Sequence, residues 1–540
     1  MSRPACRAAA LAVAALAALS LPAQGTQPAT QPATHAATQS TSQPSLRELA
    51  IGAERRGRHA EAAEFYLRLV DAEPANHEWV VGAGRTLGMA GRYNDALDLL
   101  DRGLQRFPDA VEVRAMLARV YVLKAESMVA RGVRDANVTY AYGDAARVAA
   151  EVLERHPAHR DARLILAQAR YSLGELDEAE RAARECVARF PDHPGGHVLL
   201  GNVAFDRFVA LRRTLAEERP TGQRQADLIQ EAATLRDAAA RAYEAALRAD
   251  PVRVFPLVKL GDLEAWQGKL EAALSFYRRA LVADPEVAVN HGWIRQNVQP
   301  GRRAEFYSEA AAAYRKGQDA QPAKAALLDW YHAEAHFAAA AWKPAKELFA
   351  QAVAANPRYL NSLYYVMLAA YWDGDMAAAE ESAAYYAEQA PIEFSDLVQS
   401  LEKAEQALGV IQFLADRCFQ AGKLPRSRDL NRVLALAEKS ADRWNNYAFL
   451  CRETGRYQES YEAYEAALAA EPDSPQILND AAVILQYHLA TPENLARAKA
   501  MYQRAIERAA AILADPKATP PAKARARQAA QDARGNLKRL

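Results

Sequence analysis

Residues 444–472 read WNNYAFLCRETGRYQESYEAYEAALAAEP, two short amphipathic helices joined by a tight turn. Trp444, Tyr447, Ala448 and Cys451 recur at three- and four-residue spacings, which puts them on one helical face. Gly455 stands where a chain leaving a helix needs a left-handed residue. Ser460, Tyr464 and Ala467 share a face of the second helix, and Pro472 ends it. The small residues Ala448, Ser460 and Ala467 permit close approach of the two helices. Trp444, Tyr447 and Tyr464 fill the space around them.

The same ruler recurs along the chain. Pro74 and Pro108 are 34 residues apart, as are Pro157 and Pro191, Pro251 and Pro285, and Pro357 and Pro391. Each interval has a glycine at its middle turn: Gly91, Gly174, Gly268 and Gly374. An earlier unit, roughly 43–74, keeps Gly57, Ala62, Tyr66 and Pro74. This pattern resembles the tetratricopeptide repeat, which runs W-x2-L-G-x2-Y, then Gly, Ala, Phe/Tyr, Ala and Pro. In residues 444–472, Tyr447 replaces the Leu, Ala448 the Gly, Cys451 the Tyr and Ser460 the first Ala. The resemblance extends over roughly residues 45–510 and implies an all-α chain. One helix–turn–helix unit cannot bury its apolar face alone, so neighbours are expected to stack into a right-handed α-solenoid.

The domain reading follows from composition. Residues 1–23 read as a signal peptide, with basic Arg3 and Arg7, an alanine-rich core from Ala8 to Leu19, and a Leu21–Ala23 cleavage site. Export to a periplasm, envelope or exterior is therefore expected. The apolar core is short for a bilayer span, and no second long apolar run follows, so no integral span is expected after cleavage. Residues 24–44 form a Gln/Pro/Ala/Thr spacer expected to be disordered. Residues 45–285 form a first array, 286–322 a degenerate connection, 323–516 a second array and 517–540 a basic capping helix. Pro108 and Pro157 are 49 apart, with extra length near Lys124–Tyr142; Pro191 and Pro251 are 60 apart, with a charged helical insertion at Arg207–Arg236. Gln299-Pro300-Gly301 is the turn signal expected to separate the arrays.

Charge is balanced at 67 Lys+Arg against 67 Asp+Glu, which argues against a nucleic-acid partner. Beyond Cys6 the chain keeps Cys186, Cys418 and Cys451, an odd number without framework spacing. Cys418 and Cys451 fall on neighbouring first helices, either bridged or serving as small packing residues. His332 and His336 share a helical face at metal-ligand spacing, but Glu334 is misplaced for a His-Glu-x-x-His site and no third ligand can be named. His156, His159, His193 and His197, beside inter-repeat prolines, read as surface residues. No nucleophile elbow or phosphate loop is present, so neither an enzyme nor a cofactor is expected.

The resemblance implies that first helices line a concave groove where partner segments bind. On that frame Trp330, Phe337, Tyr364, Tyr371 and Trp372 are the candidate groove residues, since Trp and Tyr bury area at low entropic cost. The alternative is that they pack between repeats. The family's carboxylate clamp is missing: Asn446 fits one role, but Gln476 and Asp480 stand where cations are needed. The basic tail, with seven Lys/Arg from Lys517 onward against Asp532, is either a solvated cap face or a contact for an anionic surface. The expected function is a non-enzymatic scaffold holding a protein or peptide. Self-association as an envelope component is the alternative, and a metal protein using His332 and His336 a weaker one.

Overall fold

Ser45 opens the first helix with a capping box: its hydroxyl accepts from the Glu48 amide, and the Glu48 carboxylate accepts from the Ser45 amide. From there the computed structural model describes residues 45–318, 320–401 and 404–540. The signal peptide, the 24–44 spacer, Cys6 and His35 lie outside the described residues.

Among the described residues every regular element is helical. Two compact units form, one running to Ala283 and including Val287–Asn290, the other comprising Asp284–Glu286 and His291–Leu540. In the first, helices run in pairs: α1 (Leu46–Arg55) with α2 (His59–Ala72), α3 (His77–Met89) with α4 (Tyr93–Arg106), and α5 (Val111–Ala130) with α6 (Ala136–Arg155). The pairs α7 (Arg160–Ser172) and α8 (Leu176–Arg189), α9 (Pro194–Glu218) and α10 (Gly222–Ala249), and α11 (Val254–Trp266) and α12 (Leu270–Ala283) complete it.

The second unit begins with α13 (His291–Asn297) and α14 (Pro300–Arg315). Then come α15 (Pro322–Ala338) with α16 (Trp342–Ala355), α17 (Ser362–Asp373) with α18 (Met376–Gln389), and a single short α19 (Pro391–Gln399). The series ends with α20 (Ala404–Gln420) and α21 (Leu424–Glu438), α22 (Ala441–Glu453) and α23 (Tyr457–Ala470), α24 (Pro475–Tyr487) and α25 (Pro492–Ala514), and α26 (Pro520–Leu537). Within each unit a helix packs chiefly on its sequence neighbours, the arrangement of an α-solenoid.

The turns explain the pairing. Gly455, between α22 and α23, has φ +75°, a left-handed conformation that a Cβ would strain. The turn between α15 and α16 uses Ala340 instead, at φ +56°. Two expectations are refined here. The extra length between Pro108 and Pro157 is shared by α5 and α6, 20 residues each, around a turn at Gly132. Gln299-Pro300-Gly301 is not the break between units: Gln299 caps α14 and Pro300 occupies its first turn. A proline there has its φ preset and lacks only an N–H that would be orphaned anyway. The compact units instead divide near residues 284–291.

Within a pair, a small residue on one helix admits a large one on the other. A Cβ built on Gly261 of α11 would lie 2.4 Å from Tyr277 Cε1 of α12. The Tyr277 ring is fully buried, and its hydroxyl donates to Asp262 at 2.8 Å. In α22 and α23 the Ser460 hydroxyl donates to the Ala448 carbonyl at 2.7 Å, and Tyr464 is buried beside them. Cys186, Cys418 and Cys451 are free, buried thiols, so Cys418 and Cys451 act as small packing residues. Burial pushes the Cys451 thiol up to about 11.

Candidate functional site

The five candidate residues lie on α15 and α17, and the structure sorts them into three environments. Trp330 and Phe337 of α15 are half-buried. Trp330 stands edge-on to Phe349 and Tyr365, with ring centroids 6.1 and 6.3 Å apart. Phe337 meets Tyr365 at 5.6 Å and Trp342 at 5.3 Å. Both therefore serve first as packing between consecutive helices.

Tyr364 is a core residue, which corrects its assignment to the groove. It is only 5% exposed, edge-on to Phe394 at 6.5 Å and to Tyr365 at 5.1 Å, and burial raises its hydroxyl to about 12. The physical reason is α19: this unpaired short helix brings Phe394 over the face of α17 that a regular repeat would leave open.

At the C-terminal end of α17 Trp372 remains exposed, and Tyr371 beside it is half-buried. Trp372 is 43% exposed, tilted against Trp342 at 6.4 Å and edge-on to Tyr371 at 5.0 Å. Tyr371 in turn meets Phe413 of α20 at 5.7 Å, and Phe413 is exposed. The structure thus joins Trp342, Tyr371, Trp372 and Phe413 into one cluster, in which Trp372 and Phe413 are exposed and Trp342 and Tyr371 half-buried. Lys346 fixes its base by donating to Asp373 and Asp375, both at 2.9 Å, across the α17–α18 turn. The Lys346 ammonium holds the Asp375 carboxyl below its ordinary value, helped by the Ala378 amide that the carboxylate caps.

Sequence reasoning missed Phe413, because α20 belongs to a unit without its closing proline and had no frame. It missed Trp342 because only first helices were searched, and Trp342 opens the second helix of its pair. It also missed Trp266 in the first unit, which is exposed and rests on Phe208 at 5.1 Å and Phe205 at 5.8 Å. A signal was present. Met89, Trp266 and Trp372 each stand two residues before the turn glycines Gly91, Gly268 and Gly374, and all three are exposed.

The histidines find structural partners. His332 and His336 turn their Nε2 atoms on each other at 3.0 Å, while Glu334 lies near Arg295 at 3.1 Å and Arg303 at 3.6 Å. Among the described residues no three His, Cys, Asp or Glu side chains gather as a metal site. His159 and His193 are half-buried N-caps rather than plain surface residues: Nδ1 accepts from the Ala162 amide at 3.1 Å and the Gly195 amide at 3.2 Å, respectively.

Sequence models described as tetratricopeptide repeat match residues 53–120, 142–207, 230–288 and 441–474. The chain is a tetratricopeptide-repeat protein. No curated protein matches the sequence. Among solved structures it is similar to MamA at 18% identity, covering 37% of this chain and 93% of that one, with a TM-score of 0.26. It is also similar to TTC0263, a thermophilic TPR protein in Thermus thermophilus, at 15% identity, 46% and 98% coverage, and TM-score 0.25. The Cut9–Hcn1 hetero-tetramer of APC/C matches at 12% identity, 90% and 95% coverage, and TM-score 0.24.

As a tetratricopeptide-repeat protein the chain is an interaction scaffold and not an enzyme. The repeat frame also locates the absent carboxylate clamp. Asn446 is exposed, but Asp480 is buried deeply enough that desolvation raises its carboxyl above the usual range. A carboxyl there is no cation and offers no counter-charge to a terminal carboxylate. No helix of the described residues is long and apolar enough to cross a membrane.

Proposed function

We propose that the second unit holds an apolar segment of a partner protein against Trp342, Tyr371, Trp372 and Phe413. The observation that carries this reading is Trp372, which is 43% exposed yet braced by Trp342 and Tyr371. A large aromatic held in place loses little conformational freedom on binding, so the area it buries becomes net affinity. Phe337 backs the cluster through Trp342, Trp330 packs on Phe349 and Tyr365, and Tyr364 belongs to the core.

A photo-crosslinking residue at exposed position 416, one helical turn from Phe413 on α20 and leaving all four aromatics in place, installed in the source cells, tests this. A partner captured there and lost on Phe413→Ala, with the chain still helical, supports the reading. Crosslinks only between copies of the chain would replace it with self-association. No crosslink above an exposed control position on α26 would overturn both.

Action outside the cytoplasm is part of the same proposal, supported by the Arg3/Arg7, Ala8–Leu19 and Leu21–Ala23 series. The mature protein should then begin at Gln24 on N-terminal sequencing. Recovery of the cytoplasmic chain with its original start would refute export.

A further inference from the structure

α26 closes the second unit with its alanine face. Ala526, Ala529, Ala530 and Ala533 are buried, and Leu537 packs against the core formed with α24. Asn536 ties the helix down: its carbonyl accepts from Gln486, and its side chain donates to Asn479 at 3.2 Å. The orientation of α26 is therefore fixed, and with it the direction of every outward side chain.

Lys523, Arg527, Arg534 and Lys538 are separated by four, seven and four residues, which places them along one flank. Arg527, Arg534 and Lys538 are exposed and Lys523 is half-buried. Fifteen residues at 1.5 Å each make the stripe about 22 Å long. Arg525, Arg539 and the helix's acid, Asp532, fall on the other flank, where Asp532 accepts from Gln528 at 2.9 Å. Among the described residues, none of the four stripe cations has a carboxylate within ion-pair distance. One helix earlier the pattern is the opposite: Arg497 pairs with Glu465, and Arg504 and Arg508 share Asp473. In a chain of balanced charge, four aligned cations without counter-ions are a concentrated field of one sign.

We propose that this flank of α26 binds an acidic segment of a partner protein. A single-file stripe matches a linear ligand, and the carboxylates of an extended or helical segment can meet it in register. A bilayer fits less well, because the apolar face of α26 is buried and no aromatic side chain accompanies the cations to anchor in lipid. Nucleic acid fits less well, because no exposed aromatic on α26 offers a stacking platform. The stripe is separate from the aromatic cluster, so either proposal can fail alone.

The test uses the full chain and a fluorescein-labelled Glu/Ala peptide about 12 residues long, enough to run the stripe when extended. A Gln/Ala peptide of equal length is the control, and anisotropy is read at low and high salt. The expected result is salt-sensitive binding of the Glu peptide, weakened about tenfold or more in Arg527→Glu/Arg534→Glu. Arg527→Gln/Arg534→Gln should give a smaller loss. Arg525→Glu/Arg539→Glu makes the same change in net charge on the other flank and should bind as wild type. Equal losses in both charge-reversed pairs, at unchanged melting temperature, would reduce the effect to net charge and overturn the proposal. So would absence of peptide binding, or stripe-dependent binding only to phosphatidylglycerol vesicles or single-stranded DNA.

Discussion

Tyr464 and Gly261 show how single residues carry this fold. Tyr464 is 1% exposed between α22 and α23, where the small Ala448 and Ser460 make room for it. Tyr464→Ala should destabilise the second unit by about 3–5 kcal/mol, read by urea denaturation. A change within error would show that the ring is dispensable. Glycine-to-alanine changes inside helices ordinarily stabilise by about 1 kcal/mol. Gly409, exposed on α20 with nothing within 4 Å of a built Cβ, should follow that rule. Gly261 should invert it, because its Cβ would strike a Tyr277 ring that has no room to retreat. We expect Gly261→Ala to cost about 1–3 kcal/mol, as overpacking does, and the opposite signs of the two variants in one melting series are the check.

Among the elements, the turn between α15 and α16 departs from the rest. Ala340 takes a left-handed conformation, φ +56°, where most other pairs place glycine. An L-residue there costs about 1–2 kcal/mol, so Ala340→Gly should raise the melting temperature of the second unit. Part of that gain is offset by the greater freedom of glycine in the unfolded chain. A lower melting temperature would mean that the Ala340 methyl makes contacts worth more than the strain. The paired helices themselves were legible from sequence, because prolines and glycines punctuate them at fixed spacing. The short α19 was not. It forms no hairpin with a helix next to it in sequence but packs mainly on α21, and its effect on Tyr364 comes through Phe394, a residue 30 positions away in the chain.

Across the molecule as a whole, acid should act on the second unit first. His291 stacks half-buried on Tyr331, with ring centroids 3.8 Å apart, and its Nδ1 lies 3.0 Å from the Tyr307 hydroxyl. Burial lowers its pKa from 6.5 to about 3; burial, then the neighbouring His336 and Arg315, lower that of His332 to about 4. Both are bases that fold neutral. The unfolded chain therefore binds more protons below 6.5, and their stabilising effect, complete above that pH, is lost as pH falls towards 4 and 3. The slope is up to about 1.4 kcal/mol per pH unit for each histidine. A His291→Phe variant should flatten the acid limb of melting temperature against pH, and an unchanged limb would place the sensitivity elsewhere. The repeat, the all-helical class and the small-against-large packing were already written in the amino-acid order, because they depend on spacings within some 34 residues that one chain period exposes directly. Which aromatics face solvent was settled by the fold alone. Exposure depends on what a neighbouring helix places over a face, so Phe394 covers Tyr364 while Trp372 and Phe413 stay exposed beside the half-buried Trp342.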